Sequence, residues 1–430
     1  MKLARSHMQK HLAAHQGPWD IIIIGGGATG VGVAVDAASR GYKTLLLEQS
    51  DFGKGTSSRS TKLVHGGVRY LEQGDIPLVM EALKERGLLR QNAPHLVTNL
   101  AFVVPSYEWW EGPFYGVGLR LYNMLAGKYG FGPSRNLSKE ETLAKLPTIE
   151  KAGLRGGVVY YDAQFDDSRL LIHMAQTAAE QGAVLLNYTP VTGFIRGADG
   201  LIDGVIARDE ETGAELRAEG KVVINATGAF GDAVRRLALP NAAAMIAPSQ
   251  GVHIVLDRSF LPSEAAIMVP HTSDGRVMFA IPWHGHTLVG TTDTAIPEAT
   301  LEPRPLSSEI DFLLETTTRY LDRAVTRADI LSTFVGVRPL VQSGGGGNTA
   351  SLSRSHTVHI DESGLLTITG GKWTTYRNMA EDCVNHAATL GKLEERPCIT
   401  KQLKIHGYHE GAAQLGHLRV YGADADDILE

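Results

Sequence analysis

Residues 20–48 constrain the fold more than any other stretch. Ile21 to Ile24 is a short, wholly apolar, β-branched run, the pattern of a strand buried on both faces of a parallel sheet. Gly25, Gly26, Gly27, Ala28, Thr29 and Gly30 follow. Val31 to Arg40 then reads as a helix closed by Gly41, and Thr44 to Leu47 as a second strand ending in Glu48. This is one βαβ unit with Gly25-x-Gly27-x-x-Gly30 at its first turn. The spacing alone is common; set between strand and helix, with an acid closing the next strand, it describes a dinucleotide site. Gly25 permits the tight turn, Gly27 lets a pyrophosphate approach the backbone, and Gly30 lets helix and strand pack. The helix start offers unpaired N–H groups and a partial positive charge to phosphates. Glu48 can accept both ribose hydroxyls of an adenosine half, which disfavours a 2′-phosphate.

A chain of 430 residues has room for two or three domains, and 43% apolar with 20% charged residues is ordinary globular usage, which excludes collagen, disorder and disulfide scaffolds. The 48 glycines gather in short clusters, where something approaches the backbone closely. A net charge of −6 provides no basic surface for nucleic acid, which is not expected as a partner. Cys383 and Cys398 form no C-x-x-C, which fits a reducing compartment and gives neither zinc site nor redox pair. No apolar run approaches the ~18 residues of a membrane span, and residues 1–19 lack a secretory h-region. The expected location is cytoplasmic or peripheral on the inner face of the cytoplasmic membrane. Residues 1–19 read as a disordered arm. His7, His11 and His15 would stack on one face of a helix, yet no acid or Cys stands nearby to complete a metal site, and no metal is expected.

Farther along, Ile76 to Gln91 and Asp167 to Gln181 read as helices, Ala183 to Asn187 as a strand, and Leu201 to Arg208 as one arm of a hairpin turning at Thr212 and Gly213. Gly251 to Leu256, Arg276 to Pro282 and Thr287 to Gly290 suggest a second, largely antiparallel sheet. Leu366 to Thr369 is a strand that meets Gly370 and Gly371, then a helix with Met379, Cys383, Val384, Ala387 and Ala388 on its buried stripe. Trp109, Trp110, Phe114, Tyr115, Leu119, Tyr122 and Leu125 form an apolar cluster with two readings: a cap helix packed over the site, or a membrane-interface face.

Val222 to Gly228, a buried run ending in Asn-Ala-Thr-Gly, resembles the second flavin-contacting strand of FAD oxidoreductases. Gly370-Gly371-Lys372 before a helix would set backbone N–H groups where reduced flavin carries negative charge. Three motifs then carry a family resemblance: Lys62-Leu-Val-His-Gly-Gly-Val-Arg69-Tyr70-Leu-Glu, Gly336-Val-Arg338-Pro339-Leu and Gly370-Gly-Lys372-Trp-Thr-Thr-Tyr-Arg377. From about Asp20 to about Gly391 the chain resembles the FAD-dependent, quinone-linked glycerol-3-phosphate dehydrogenases. The resemblance implies an α/β fold in which a Rossmann-like FAD-binding domain (20–75, 150–240 and 340–391) is interleaved with a mixed or antiparallel-sheet substrate cap domain (76–149 and 241–339), as in the amino-acid-oxidase-like superfamily. FAD contacts are implied at Gly25, Gly27, Gly30, Glu48, Thr56, Ser57, Leu63, Gly228, Gly371 and Thr374.

The implied activity is oxidation of sn-glycerol 3-phosphate to dihydroxyacetone phosphate, hydride passing from C2 to flavin N5 and electrons onward to a quinone. Alternatives are an oxidase using oxygen and a non-catalytic flavin-binding protein. A phosphate dianion needs cations and a secondary alcohol needs a base. The resemblance implies Arg69, Tyr70, Arg354 and Lys372 as substrate ligands and Arg338 beside the reacting oxygen. His253, in a Gly-x-His-x-Val strand, is either base or substrate partner, or a satisfied core histidine. The resemblance implies that His65 stands below the flavin or links to it covalently, the first being the expectation because members of this family hold FAD noncovalently. Peripheral membrane contact and a homo-oligomer are both compatible with the sequence. Residues 392–430 read as the start of a truncated C-terminal helical domain, with Gly411 to Glu430 weakly held.

Overall fold

The computed structural model describes residues 3–429 except 73, 271, 273–274 and 343–355. Its first sheet runs in the order His356–Ile360, Leu366–Gly370, Glu215–Asn225, Trp19–Ile24, Thr44–Leu47, Val184–Leu186. Its neighbouring pairs are parallel from Leu366–Gly370 across to Val184–Leu186, with His356–Ile360 an antiparallel edge. Ile21 to Ile24 lie between Val222 to Asn225 on one side and Thr44 to Leu47 on the other. All four isoleucines are at most 4% exposed, each worth roughly 1.5–3 kcal/mol of burial, which is why the run carries no alternation. Helix Ala28–Ser39 packs on this sheet against helices Asp167–Glu180 and Tyr376–Leu390. A Cβ on Gly32 would come 2.8 Å from the Tyr376 ring.

A second sheet follows the order Thr294–Ala295, Ile246–Asp257, His286–Gly290, Met278–Trp283, Ala265–Val269, Val97–Ser106, Gly156–Phe165, Leu63–Val64, with Ile330–Val341 on the far edge of Ile246–Asp257. Its pairs are antiparallel except Ala265–Val269 beside Val97–Ser106. One apolar core lies on the first sheet and extends to Val64, Val97, Ala163 and Phe165 of the second; two further cores pack on the second sheet.

Three expectations change. Gly156–Phe165, assigned to the nucleotide-binding domain, pairs along its whole length with Val97–Ser106 and so belongs to the second sheet; its Val-Val-Tyr-Tyr run is equally apolar in either setting. Residues 1–19 are not a disordered arm: Arg5–Ala14 is a helix, Met8 is 3% exposed in the core, and Arg5 pairs with Asp209 at 2.7 Å. His15 leaves that helix to stack on Trp19, which breaks the line of imidazoles, and no metal-holding cluster occurs among the described residues. The tail is also docked. Ala412 and Ala425 are 1% and 2% exposed, Arg419 Nη2 donates to Pro94 O at 2.8 Å, and His406 bridges Glu180 and Asp424 at 2.6 and 2.8 Å. A run of short helical turns over Ala412–Asp424, kinked at Gly416 and Gly422, lets it follow the surface.

Helix Glu111–Ala126 divides the aromatic cluster between a buried and an exposed face. Tyr115, Leu119 and Tyr122 are buried, whereas Trp110, Phe114, Val117, Leu121 and Met124, spaced four and three apart, point outward beside Trp109, which is 74% exposed.

Candidate active site

The carboxyl ends of Trp19–Ile24, Thr44–Leu47 and Glu215–Asn225 lie level, and strand order departs in both directions from the first of them, so a crevice opens there. Gly25 sits at φ +111°, and a Cβ on it would meet Ala226 O at 2.7 Å. Only glycine satisfies both limits. A Cβ on Gly30 would stand 1.9 Å from Gly25 O; Gly30 therefore packs helix on turn and does not line the crevice. Ser57 Oγ accepts from the Ala28 N–H at 2.8 Å at the start of the helix. Glu48 accepts from the N–H groups of Gly26 at 2.6 Å and Ser50 at 2.8 Å. Burial pushes its carboxyl up, opposed by those amides.

The crevice encloses about 620 Å³. Gly25, Gly27, Glu48, Thr56 and Ser57 line one part of it, Leu63, Gly228, Gly371 and Thr374 another. Gly228 and Gly371 have φ of +57° and +69°, and a Cβ on Gly371 would strike Met379 Sδ at 2.4 Å. Trp373 Nε1 donates to Ser57 O at 2.8 Å, tying the last motif to the first. A glycine-walled cleft with an acid at the second strand end and a helix N-terminus between fits a dinucleotide along its length.

A smaller cavity of about 220 Å³ shares Thr61, Leu63, His65, Tyr70, Phe279 and Arg338 with the crevice. Arg338 lies opposite Ser249 in the second sheet. Its guanidinium donates to Thr292 O at 3.0 Å and contacts Asp293 Oδ1 at 3.3 Å. Tyr70 is buried, and Lys372 Nζ stands 3.8 Å from its ring centroid. His253 is 2% exposed and stacked on Phe334 with centroids 4.7 Å apart; its Nε2 meets Thr61 Oγ1 at 2.8 Å. Burial, with the Arg338 and Lys62 cations, pushes the imidazole well below its ordinary 6.5. Lys62 itself pairs with buried Asp167 at 2.7 Å. Arg69 lies in the short helix Val68–Glu72, with its side chain outside the described set, and Arg354 lies outside the described residues.

The structure thus brings His65, Tyr70, His253, Arg338 and Lys372 to one place. Sequence reasoning missed Thr61, Arg276, Asp162 and Asp293, of which all but Thr61 line only the smaller cavity. Thr61 stood one residue before a motif already singled out. Arg276, Asp162 and Asp293 gave no signal, because each is an isolated charge outside the motifs, Asp162 within a strand and the other two beside strands.

A dinucleotide cleft on a parallel sheet, walled on its far side by a second sheet bearing cations and a neutral imidazole, defines a class of nucleotide-dependent oxidoreductases. The family model described as FAD dependent oxidoreductase matches residues 20–377, and FAD is the cofactor. The chain is 45% identical over 403 residues to the mitochondrial glycerol-3-phosphate dehydrogenase of Homo sapiens, covering 90% of this chain and 55% of that protein. Its identity to the mitochondrial glycerol-3-phosphate dehydrogenase of Arabidopsis thaliana is also 45%, over 91% of this chain and 64% of that one. The glycerol-3-phosphate dehydrogenase of Bacillus halodurans, solved in complex with FAD, superposes with a TM-score of 0.80 at 31% identity, over 100% of this chain and 80% of that one. The chain belongs to the FAD dependent oxidoreductase family, in the branch of the FAD-linked glycerol-3-phosphate dehydrogenases. It spans about half the length of the human protein it matches.

Proposed function

We propose that this chain oxidises sn-glycerol 3-phosphate to dihydroxyacetone phosphate and passes the electrons to a quinone. The observation that carries the reading is the small cavity beside the FAD cleft, where Arg338, Arg276, Tyr70 and His65 surround a space sized for a three-carbon phosphate ester. Bound FAD supplies the hydride acceptor. The residues of the chain do the rest. Arg338, oriented by Asp293 and Thr292, stabilises negative charge growing on the reacting oxygen. His253, uncharged because it is buried beside two cations, keeps a lone pair for the hydroxyl proton. Lys372 and Arg276, with Arg69 and Arg354 as the family resemblance implies, neutralise the phosphate.

The chain works as a peripheral protein on the inner face of the cytoplasmic membrane, where a quinone is at hand. One observation supports this: the outward apolar stripe of helix Glu111–Ala126.

The test is anaerobic mixing of the purified holoprotein with sn-glycerol 3-phosphate, then reoxidation side by side with air and with a soluble quinone. Rapid bleaching of the flavin, reversed faster by quinone than by air, is the expected result. No bleaching would end the substrate reading, and faster recovery in air would make the protein an oxidase. Co-sedimentation with phosphatidylethanolamine–phosphatidylglycerol vesicles, lost on Phe114→Glu with Met124→Glu, checks the membrane face.

A further inference from the structure

Behind the small cavity lies a buried charged network that the proposed chemistry does not use. Arg86, Tyr122 and Asp162 are each 1% exposed or less. Arg86 Nη1 donates to Asp162 Oδ1 at 2.7 Å, and Tyr122 Oη donates to Asp162 Oδ2 at 2.7 Å. The Tyr122 oxygen in turn accepts from the Gly66 N–H at 2.7 Å. The chain of donors therefore runs from Gly66 through Tyr122 to Asp162, with Arg86 neutralising its far end. Arg86 is fixed from other sides by Tyr129 O at 3.1 Å and by the Phe131 ring, 4.3 Å from the guanidinium carbon.

A buried ion pair adds little net stability over an apolar filling of the same volume, so stability does not explain a guanidinium, a carboxylate and a phenol here. Position does. Gly66 sits between His65, which lines both cavities, and Gly67, whose φ of +77° turns the chain into the helix bearing Tyr70. A Cβ on Gly66 would come 2.4 Å from the Tyr122 oxygen, so the loop is pressed directly onto the phenol. Asp162 also lines the small cavity. A bare carboxylate there would repel an anionic substrate; with one oxygen on Arg86 and the other on Tyr122, its charge is matched.

We propose that Tyr122, anchored by Asp162 and Arg86, is a positioning residue that holds the His65–Tyr70 segment in place for substrate. The inference rests on the substrate reading above for its kinetic arm only. Tyr122→Phe removes one oxygen and keeps the ring in its pocket. Tyr115→Phe is the control, since Tyr115 lies on the same helix and its buried hydroxyl has no hydrogen-bond partner among the described residues.

In the holoprotein, Tyr122→Phe is expected to speed backbone amide hydrogen exchange across residues 63–70 by about tenfold or more, as loss of a buried hydrogen bond implies. It should also raise KM for sn-glycerol 3-phosphate by a similar factor and lower kcat less, with FAD content unchanged and Tyr115→Phe like the parent. Asp162→Asn, which leaves Arg86 without a counter-charge, should show the same exchange signature if it folds. Unchanged exchange in Tyr122→Phe, or faster exchange with an unchanged KM, overturns the proposal. Should the parent protein not be reduced by glycerol 3-phosphate, the substrate reading falls while the exchange arm still decides whether Tyr122 holds the loop.

Discussion

At the residue scale, the decisive group is His253, because its surroundings set its charge. An imidazole near its ordinary 6.5 would gain a proton, and lose its basicity, just below neutral pH. Burial beside Arg338 and Lys62 pushes the native value well below that. Flavin reduction by substrate should then stay level from about pH 7.5 down to about 6, with no acid limb near 6.5. His253→Asn should lower its rate roughly 10²- to 10⁴-fold, the usual contribution of a general base. Stopped-flow reduction across that range checks both; a limb near 6.5 in the parent would mean that the imidazole is less enclosed than its 2% exposure indicates. The Gly-x-His-x-Val run marked His253 as a candidate. Its stacking on Phe334 and its contact with Thr61 were not legible, since both partners lie more than 80 residues away along the chain.

At the element scale, the docking of the tail turns on a histidine cluster. His95 Nε2 and His173 Nδ1 are 3.0 Å apart, both buried, and His173 Nδ1 also meets His406 O at 2.8 Å. Burial and the neighbouring His173 push His95 down to about 3, and burial lowers His173 as well. The unfolded chain takes up these protons near 6.5; the native chain holds them off. Stability is therefore fully present above about pH 6.5 and falls with pH below it, by up to about 1.4 kcal/mol per unit for each group. The melting midpoint should drop between pH 7.5 and 5 more steeply in the parent than in His95→Asn, and limited proteolysis within residues 405–425 should speed up over the same interval. Equal slopes in the two proteins would show that the cluster does not hold the tail. Helices such as Ile76–Asn92 and Asp167–Glu180 were legible within a residue or two. The helix Arg5–Ala14 was not, because it buries Met8 alone and depends on ion pairs to residues some 200 positions away.

At the scale of the whole molecule, two sheets meet around one cleft whose lining comes from both. Ligand bound to the native state alone stabilises it by about 2.7 kcal/mol at a hundredfold excess over Kd. Removing FAD should therefore lower the melting midpoint by several degrees, and adding it back should restore the difference in proportion to the logarithm of its concentration. Differential scanning fluorimetry with and without FAD measures this; identical midpoints would mean that the cleft is held open by protein contacts alone.

The sequence by itself determined the βαβ unit, the glycine turn and Glu48, because a tight turn, a buried strand and a helix start are decided by residues within about thirty positions of one another. The three later motifs were singled out by resemblance to a known family and not by local pattern. Tertiary structure alone decided that Gly156–Phe165 joins the second sheet, that Arg276 and Asp162 face the small cavity, and that Tyr122 reaches Gly66. Those outcomes depend on which apolar surfaces bury one another. Burial is nearly indifferent to distance along the chain, so local pattern carries no record of it.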